Sequence, residues 1–580
     1  MVRRASSVVR RGCFVIGALL GACGENDSGP TPTHTLQKIS GDSQLVAVFT
    51  ASAPLIVRVD DEGALPAPGV IVHFAVTVGT GTVTLADTTG ADGLASAIYT
   101  AATDSGIRKV RAQITRGQLF FTLVATDGPL AHLRIAQGQD QGANAGSVLS
   151  SPLGAKLVDD FGNGVAGIKV GWTIMSGGGT LGADTTVTDG SGVARVSRTL
   201  GPGAGGQFVR AMAVGFSDTL LFHSTAKKAM TVLAGGNNVP NKCTSDLWIQ
   251  GSYAYTGTWG NCNGVGARAL HVWDVSSGVT LVDSVRPGLG TVSDNEVSAD
   301  GTLLLATAEG GGAANGLYIY SLTDPAHPVL VDSQQVTTGL HTGTFADIGG
   351  QRYVFATKDP SPAAMLVFRI QPDSADKIVQ VASVAQPESY GMHDQFVRDG
   401  LAFVNDWDAG LRIYDVGDGR AGGSPVAPAL VSSIVTSNNG VNCSCVHNSW
   451  WYHDANGGKR YVFVGQEGPS NFTTASGDIH VVDVSNMSAP VEVAYYHLAG
   501  AGVHNFWMDE TRGILYAAYY NGGVAALDVT GTLSGNLASR EISRITPGGP
   551  GNTFVWGVML ANGYLWASDM FSGFWKLSVP

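Results

Sequence analysis

Three copies of one phrase decide the fold of this chain: Gly391-Met392-His393-Asp394-Gln395-Phe396, Val446-His447-Asn448-Ser449-Trp450 and Val503-His504-Asn505-Phe506-Trp507. In each copy a histidine is followed by Asp or Asn and then by apolar residues. A glycine-containing turn, a second apolar stretch and a strand that ends near Asp-Val come next. Short apolar stretches separated by tight turns predict β-strands that are joined by hairpins.

The same unit recurs seven times along the C-terminal part of the chain. Strand ends recur at intervals of about 45–49 residues, with one interval of about 68, at Asp274, Ser321, Arg369, Asp415, Asp483, Asp528 and Leu577. A period near 45–50 residues with about four strands per unit is typical of a β-propeller. The sequence therefore predicts a seven-bladed β-propeller over residues 229–580. Its last blade lacks an outer strand, which residues 229–233 are expected to supply.

A different repeat, with a period of about 98 residues, lies upstream of the propeller. Its matching segments are Pro54-Leu55-Ile56-Val57-Arg58-Val59-Asp60-Asp61 with Pro152-Leu153-Gly154-Ala155-Lys156-Leu157-Val158-Asp159-Asp160, and Thr88-Thr89-Gly90-Ala91-Asp92-Gly93 with Val187-Thr188-Asp189-Gly190-Ser191-Gly192. Short alternating strands over about 95 residues predict two Ig-like β-sandwiches, residues 36–127 and 128–226. The pattern resembles bacterial Ig-like domain type 1 (Big-1) of invasin-like adhesins. That resemblance implies a passive stalk or, alternatively, a direct adhesive role.

Composition agrees with an all-β chain and excludes one class of partner. Glycine accounts for 79 of 580 residues and charged residues for only 14%. The formal net charge is -12, and the basic residues form no cluster beyond the N-terminus. Because nucleic-acid affinity depends on clustered Lys and Arg, no nucleic-acid partner is expected.

The N-terminal residues have the pattern of an export signal. Arg3, Arg4, Arg10 and Arg11 precede a short apolar run that ends at Leu20-Gly21-Ala22-Cys23. This end resembles the bacterial lipobox, which implies a signal peptide over residues 1–22, lipidation of Cys23 and a polar tether over residues 23–35. The alternative is an ordinary signal peptide with an incidental cysteine. We expect a lipid-anchored protein of the bacterial cell envelope, on the outer membrane and facing the periplasm or the cell surface.

Phrases inside the propeller units carry a further resemblance. Gly316-Leu317-Tyr318-Ile319-Tyr320-Ser321-Leu322-Thr323-Asp324-Pro325 and Ile479-His480-Val481-Val482-Asp483-Val484-Ser485 are similar to the strand-turn-strand pattern of the LVIVP-repeat family of bacterial surface propellers. The resemblance covers residues 229–580. It implies location and shape rather than a reaction.

Alignment of the units places four histidines at one structural position: His341, His393, His447 and His504. Because the segment that leads into the innermost strand lies at the mouth of the channel, the four imidazoles are expected to face a common axis. Imidazoles in this number suit zinc, copper or iron, and Asp294 or Glu296 could complete such a site or act as a base. The alternative is structural: each histidine ties its blade to the next by hydrogen bonds to the backbone.

The remaining candidates are aromatic, acidic and sulfur-containing side chains. Binding residues at the channel mouth are predicted to be Trp556, Asp294, Glu296, Trp450 and Trp507, with a surface protein, a peptide or a glycan as ligand, although packing also explains the aromatics. Cys243 and Cys262 are the simplest disulfide pair in an exported protein. Cys443 and Cys445 form either a second disulfide or, with His447, a soft-metal site.

Two functions follow from these patterns. The first is a surface-exposed, lipid-anchored binding or structural protein that presents a propeller on an Ig-like stalk. The alternative is a metal-dependent oxidoreductase with a histidine-lined site in the channel. Since the chain carries no hydrolase or phosphate-binding motif, the sequence favours a binding protein over an enzyme, and it names no catalytic residue.

Overall fold

The computed structural model describes most of the chain, and the described residues are all-β, as the sequence predicts. The described ranges are 33–239, 243–260, 268–286, 290–310, 314–359, 362–375, 377–386, 391–438, 441, 443–471 and 473–580, and no α-helix occurs within them. No helix among these residues has the length and apolar character needed to cross a bilayer. The predicted signal peptide, Cys23 and Cys262 lie outside the described residues.

The chain divides into two compact units. The first contains the described residues up to Ala131 together with Val158–Asn163, and the second contains His132–Leu157 and Gly164–Pro580. Strands of the first unit are β1 (Thr35–Ser40), β2 (Gln44–Ala47), β3 (Leu55–Asp60), β4 (Ile71–Val78), β5 (Thr82–Val83), β6 (Ala86–Thr88), β7 (Leu94–Ala97), β8 (Tyr99–Thr100), β9 (Gly106–Ile114) and β10 (Gly117–Thr126).

These strands form two main sheets around one core. The sheet orders are β1-β3-β7 and β2-β10-β9-β4-β6, with a small β5-β8 sheet beside them. Alternate residues of β3 and β9 point inward, so Leu55 and Val57 of one sheet and Val110 and Ala112 of the other lie in the same buried cluster. This is the period-2 pattern of a strand with one buried face.

The second unit begins with strands that repeat this topology. They are β11 (His132–Gln137), β12 (Gln141–Asn144), β13 (Leu153–Val158), β14 (Lys169–Ile174), β15 (Thr180–Leu181), β16 (Thr185–Val187), β17 (Val193–Val196), β18 (Arg198–Thr199), β19 (Gly205–Ala213) and β20 (Thr219–Lys227). Their sheets are β11-β13-β17, β12-β20-β19-β14-β16 and β15-β18. Every one of these pairings has its counterpart in the first unit.

The remaining strands of the second unit build seven sheets. They are β21 (Val232–Gly235), β22 (Thr244–Gln250), β23 (Tyr253–Thr258), β24 (Leu270–Asp274), β25 (Thr280–Val285), β26 (Thr291–Val297), β27 (Leu303–Glu309), β28 (Gly316–Ser321), β29 (Val329–Gln335), β30 (Gly343–Ile348), β31 (Gln351–Lys358), β32 (Ala364–Ile370), β33 (Ile378–Ala385), β34 (Asp394–Arg398), β35 (Leu401–Asn405), β36 (Leu411–Asp415), β37 (Ala429–Ile434), β38 (Val446–Tyr452), β39 (Tyr461–Gln466), β40 (Ile479–Asp483), β41 (Val491–Tyr496), β42 (Phe506–Asp509), β43 (Ile514–Ala518), β44 (Val524–Asp528), β45 (Gly535–Asn536), β46 (Glu541–Ile545), β47 (Val555–Ala561), β48 (Tyr564–Asp569) and β49 (Gly573–Leu577), with a 3-10 helix at Ala538–Arg540.

Each of these sheets is an antiparallel meander of four strands, and together they close into the ring of a β-propeller. The sheets, called blades 1 to 7 below, begin with the inner strands β22, β26, β30, β34, β38, β42 and β47. Every inner strand contacts the inner strand of the next blade, and β47 contacts β22. Blade 5 gains a fifth strand, because β45 pairs in parallel with β41.

The last blade is completed by a strand from before the first, as predicted. β21 pairs antiparallel with β49, with Val232 opposite Leu577. The strand begins at Val232 rather than at the predicted Ala229, because Met230 is buried between blades and its N–H donates to Ser543 Oγ at 2.9 Å. Such closure leaves neither end of the ring with an open sheet edge.

Within the second unit, the sandwich is tied to blade 6 by a buried polar contact. His223 donates or accepts through both ring nitrogens, with Nδ1 2.7 Å from Asp140 Oδ1 and Nε2 2.7 Å from Asp528 Oδ2. Thr225 donates to the same Asp528 oxygen at 2.8 Å, and Arg540 donates to Asp140 at 2.8 Å. Five hydrogen-bonded side chains therefore fix this sandwich against the propeller.

Candidate functional site

The four aligned histidines come together at one end of the propeller channel. Ring centroids are 4.0 Å apart for His341 and His393, 4.6 Å for His393 and His447, and 4.0 Å for His447 and His504. The imidazoles thus form a continuous arc across blades 3 to 6, called the histidine arc below. Such contact between rings requires that all four side chains turn toward the same axis.

The blade architecture fixes this position. The backbone N–H of His341 donates to Thr357 O at 2.9 Å, that of His393 to Asn405 O at 2.9 Å and that of His504 to Ala518 O at 2.8 Å. In each case the acceptor lies at the end of the second strand of the same blade. Since the first two strands are antiparallel, the start of one meets the end of the other.

Three acids lie beside the histidines, at or just after the ends of second strands, and the sequence did not predict them. Glu309 ends β27, Asp359 follows β31, and Glu467 follows β39. His341 Nδ1 lies 2.9 Å from Glu309 Oε1, and His393 Nδ1 lies 3.2 Å from Asp359 Oδ1. Glu467 Oε2 lies 3.6 Å from His393 Nε2 and 3.7 Å from His447 Nε2. Alignment of the second-strand ends, as well as the first-strand starts, would have found these acids.

The electrostatic environment differs along the arc. Burial lowers the pKa of His341, but the charge and hydrogen bond of Glu309, together with the charges of Asp359 and Glu467, outweigh it and raise that pKa to about 9. Burial, together with the neighbouring imidazoles, holds the pKa values of His447 and His504 well below the usual range. Near neutral pH these two rings are uncharged, which is the form that binds a metal ion.

His447 is the least satisfied group of the arc. Its side chain is 1% exposed, and neither ring nitrogen has a hydrogen-bond partner among the described residues, because 3.7 Å to Glu467 is too long for a hydrogen bond. His504 Nε2 also lacks a partner, while its Nδ1 lies 2.8 Å from Trp556 O. Of the four histidines, only His504 makes the blade-to-blade backbone bond that the structural alternative requires.

Among the described residues of the histidine arc and its acids, two sets of groups are close enough to share one ion. They are His341, His393 and His447, and His447, Glu467 and His504; within each set the ligand atoms lie within 4.8 Å of one another. A cavity of about 250 Å³ opens beside them, lined by Trp259, Glu309, His341, Asp359, His393, Glu467, Ser470, His504, Tyr520, Phe554, Trp556 and Met570. The arrangement can hold a transition metal with room for a further small ligand.

Asp294 and Glu296 are not part of this group, contrary to their predicted role in the metal site. Both line a second cavity, of about 260 Å³, with Trp450 and Trp507. The equivalent of His341 in blade 2 is Ser293: its hydroxyl donates to Leu340 O, as Ser245 donates to Val292 O. Asp294 and Glu296 therefore lie one and three residues further along the strand, toward the other end of the channel.

Trp556 lies at the histidine end, apart from the other predicted binding residues. Its ring centroid is 4.2 Å from that of His504 and 5.0 Å from that of Trp259. The prediction that Trp556, Asp294, Glu296, Trp450 and Trp507 line one mouth is therefore wrong, because Trp556 occupies the histidine position of blade 7 whereas Trp450 and Trp507 occupy positions three residues beyond it.

The cysteines are not ligands of the predicted metal site. Cys443 and Cys445 form a disulfide, with their Cα atoms 5.1 Å apart. A thiolate site with His447 is therefore excluded, because both sulfurs are bonded to each other. Cys243 is also in a disulfide, and its predicted partner Cys262 lies outside the described residues.

Comparison with known proteins finds a matching repeat family and solved structures of similar propellers. Residues 243–262 and 474–497 match the family model described as LVIVD repeat. No curated protein matches the chain in sequence.

Among solved structures, Sqt1 of Chaetomium thermophilum, bound to the N-terminus of the ribosomal protein L10, is similar with 13% identity and a TM-score of 0.42; the match covers 60% of this chain and 90% of that one. The β-propeller domain of Cps50 (Swd1) from Myceliophteria thermophila matches with 12% identity and a TM-score of 0.42, over 59% of this chain and 99% of that one. No function is transferred at this level of similarity.

Proposed function

We propose that this chain is an envelope protein whose propeller binds a transition-metal ion at the histidine arc. The observation that carries the proposal is the state of His447, a buried imidazole with both nitrogens unpartnered between His393 and His504. Leaving a buried polar group without a partner costs about 1–3 kcal/mol. A bound metal ion removes that cost, whereas a purely structural role leaves it in place.

The ligand set that fits best is His447, Glu467 and His504. Its three side chains lie within coordinating reach of a common point, and both histidines offer a nitrogen without a partner. The Nδ1 atoms of His341 and His393 contact Glu309 and Asp359. These two histidines would therefore either hold the neighbouring ligand rings in position or replace one of the three ligands. Two imidazoles and a carboxylate suit iron or zinc, and a third imidazole suits copper.

Metal analysis of the purified protein tests this proposal. We expect one equivalent of zinc, copper or iron after expression with each metal supplied, and we expect binding to be lost in His447→Leu. The control is His480→Leu, which removes a fully buried histidine of the same blade whose Nδ1 lies 2.8 Å from Glu492 Oε1. Absence of stoichiometric metal in the wild-type protein refutes the proposal.

The arrangement of the chain supports the wider part of the proposal, in which a lipid at Cys23 anchors two Ig-like domains and a seven-bladed propeller to the envelope. Two sandwiches of the same topology precede the seven sheets of the ring. Metabolic labelling with a fatty-acid analogue is expected to mark the wild-type protein and not Cys23→Ala. Labelling of both proteins, or of neither, contradicts the anchor.

A redox reaction at the metal is the second candidate function. Tyr520, whose hydroxyl hydrogen-bonds Glu467, has its ring centroid 4.9 Å from that of His504, and the ring centroid of Trp556 is 4.2 Å from that of His504. Oxidisable aromatic rings therefore touch a proposed ligand. Protein loaded with copper or iron should be reduced and reoxidised reversibly, as followed by electron paramagnetic resonance. Binding of zinc alone eliminates this candidate.

A further inference from the structure

The second cavity, at the far end of the channel from the histidine arc, is lined by four acids without a counter-charge. Asp246, Asp294, Glu296 and Asp394 all face it, and its lining of twenty-one described residues contains no Lys, Arg or His. Burial, together with the neighbouring charge of Asp294, raises the pKa of Asp246. Burial raises the pKa of Glu296 to about 8. The described lining thus supplies no cation to compensate these carboxyl groups when they ionise, so a bound cation favours their ionised form.

The acids are held in place by their neighbours rather than free to turn away. Asp294 Oδ2 accepts the backbone N–H of Gly343 at 2.8 Å. Glu296 accepts the hydroxyl of Thr344 at 2.7 Å and the N–H of Phe345 at 3.2 Å. Since the next blade supplies these donors, the carboxyl groups stay oriented along the channel.

Several uncharged side chains in the same lining have unused polar atoms. Gln395 is 4% exposed, and neither its Oε1 nor its Nε2 has a partner in the part of the chain that the structure describes. Asn295 Oδ1, Asn448 Oδ1 and Ser449 Oγ are buried and unpartnered as well. Buried polar atoms are nearly always paired, so a concentration of unpaired ones around a cavity points to a ligand that pairs them.

Four aromatic rings form a wall above these polar groups. Ring centroids are 5.8 Å apart for Trp248 and Trp507, 5.4 Å for Trp507 and Trp450, and 5.0 Å for Trp450 and Phe396. The ring planes are inclined to one another by 77°, 60° and 37°, so the wall curves. A curved wall of aromatic faces beside carboxylates is the environment in which a cation is attracted by both charge and π-electrons.

We propose that this cavity binds an organic ammonium group, with the carboxyl groups of Asp246, Asp294 and Glu296 compensating its charge and the aromatic wall enclosing its alkyl part. The proposal is independent of the metal at the histidine arc. The ammonium group belongs either to a free organic amine or to a lysine side chain, because both present a cationic nitrogen on an alkyl chain.

The geometry distinguishes this ligand from two others. Among the described residues, sets of three or more potential ligand groups within 4.8 Å occur at the histidine arc and at Asp408 with Cys443 and Cys445, but not among these acids. The carboxyl groups are thus too dispersed for a single small metal ion, which needs ligand atoms at about 2–2.6 Å. A neutral sugar would leave the acids uncompensated.

Calorimetric titration of the full-length protein in EDTA tests the proposal. Choline and n-butylammonium are expected to bind, and 3,3-dimethyl-1-butanol, the neutral counterpart of choline, is not. Glu296→Gln keeps an acceptor for Thr344 and Phe345 but removes the charge, and it should weaken choline binding about tenfold. Asp332→Asn, on the outermost strand of the same blade, should bind choline as the wild type does.

Further titrations show whether the ammonium group belongs to a lysine side chain or to a free amine, or they refute the proposal. Tighter binding of an acetylated lysine amide than of choline assigns a lysine side chain, and the reverse assigns a free amine. The proposal fails if neither choline nor butylammonium binds, if the neutral alcohol binds equally, if glucose binds in their place, or if Glu296→Gln retains full affinity. Because EDTA removes transition metals, none of these results depends on the histidine arc.

Discussion

Replacing His447 by leucine should make the metal-free protein more stable and abolish its stabilisation by metal. Replacement of a buried, hydrogen-bonded histidine by leucine instead lowers the free energy of unfolding. Leucine has nearly the volume of histidine, so the replacement leaves no large cavity. It also removes both ring nitrogens that have no partner within the protein.

The size of the effect follows from these two atoms. Each unsatisfied buried polar group costs about 1–3 kcal/mol, and replacement by an apolar group of similar shape removes the cost. Imperfect packing of the branched side chain offsets up to about 1.5 kcal/mol. Two such atoms together cost about 2–6 kcal/mol, so the free energy of unfolding in EDTA should rise by at least about 0.5 kcal/mol. At a metal concentration of about 100 times Kd the wild-type protein gains about 2.7 kcal/mol, and the variant gains nothing.

Urea denaturation of both proteins, with EDTA and with the bound metal, measures all four free energies. His480→Leu is the matched control, because its imidazole is equally buried but engages Glu492 and Gln466. That variant should be destabilised by about 1–3 kcal/mol under both conditions. If His447→Leu loses stability in EDTA to the same extent, or if metal stabilises it as much as the wild type, then His447 is a packing residue and the reasoning is wrong.

Three further changes test other contacts. Glu467→Gln should weaken metal binding about 10–100-fold in calorimetry, whereas Glu510→Gln, which pairs with Arg398 away from the arc, should not; equal effects would remove Glu467 from the site. Asp415 accepts the backbone N–H groups of Gly417, Gly419, Ala421 and Gly423, so Asp415→Ala should lower the free energy of unfolding by about 1.5–3 kcal/mol in urea, against a change within about 0.5 kcal/mol for the exposed Asp418→Ala. Burial lowers the pKa of His223, but hydrogen bonds with Asp140 and Asp528 outweigh it and raise that pKa; this stabilisation is complete below the unfolded value of about 6.5 and is lost as the pH rises through the higher folded pKa. His223→Gln should remove that pH dependence from urea midpoints measured between about pH 5.5 and 9, and an unchanged slope would show that another group titrates.

The regular features of the fold were predictable from the sequence because they repeat. A strand end that recurs at intervals of about 45–49 residues, with one longer interval, fixes the period. Counting the strands of the last unit led to the prediction that residues 229–233 supply its outer strand, and β21 does pair with β49. The histidine arc followed from the same alignment, since equivalent residues of successive blades face one axis. Only the start of the closing strand was wrong, because burial of Met230 between blades leaves no repeat signal.

The acids beside the arc were not found because they share a position but not a residue type. The residues at or after the end of the second strand are Trp259, Glu309, Asp359, Trp407, Glu467, Tyr520 and Met570. No motif connects a tryptophan with a glutamate, so the position becomes visible only when the antiparallel pairing of the first two strands is considered. Asp294 and Glu296 were wrongly expected to complete the histidine site, because the residue of blade 2 that is equivalent to His341 is Ser293.

Asp294 and Glu296 lie one and three residues beyond the position of the histidines, so the same seven inner strands line two different cavities. A strand advances about 3.3 Å per residue, so the three residues from His393 to Phe396 separate the arc from the aromatic wall by about 10 Å. Unit charges at that distance interact by about 1.7 kcal/mol at an effective dielectric constant of about 20. Burial raises the pKa of Asp294, and the charge of His341 is among the influences that oppose it. A positive charge at the arc thus helps to keep the acids ionised, but it also repels a cation in the acidic cavity by a similar amount. Since the two effects nearly cancel, the affinity of one cavity should depend only weakly on occupation of the other, and each can evolve its ligand independently by substitution in a single blade.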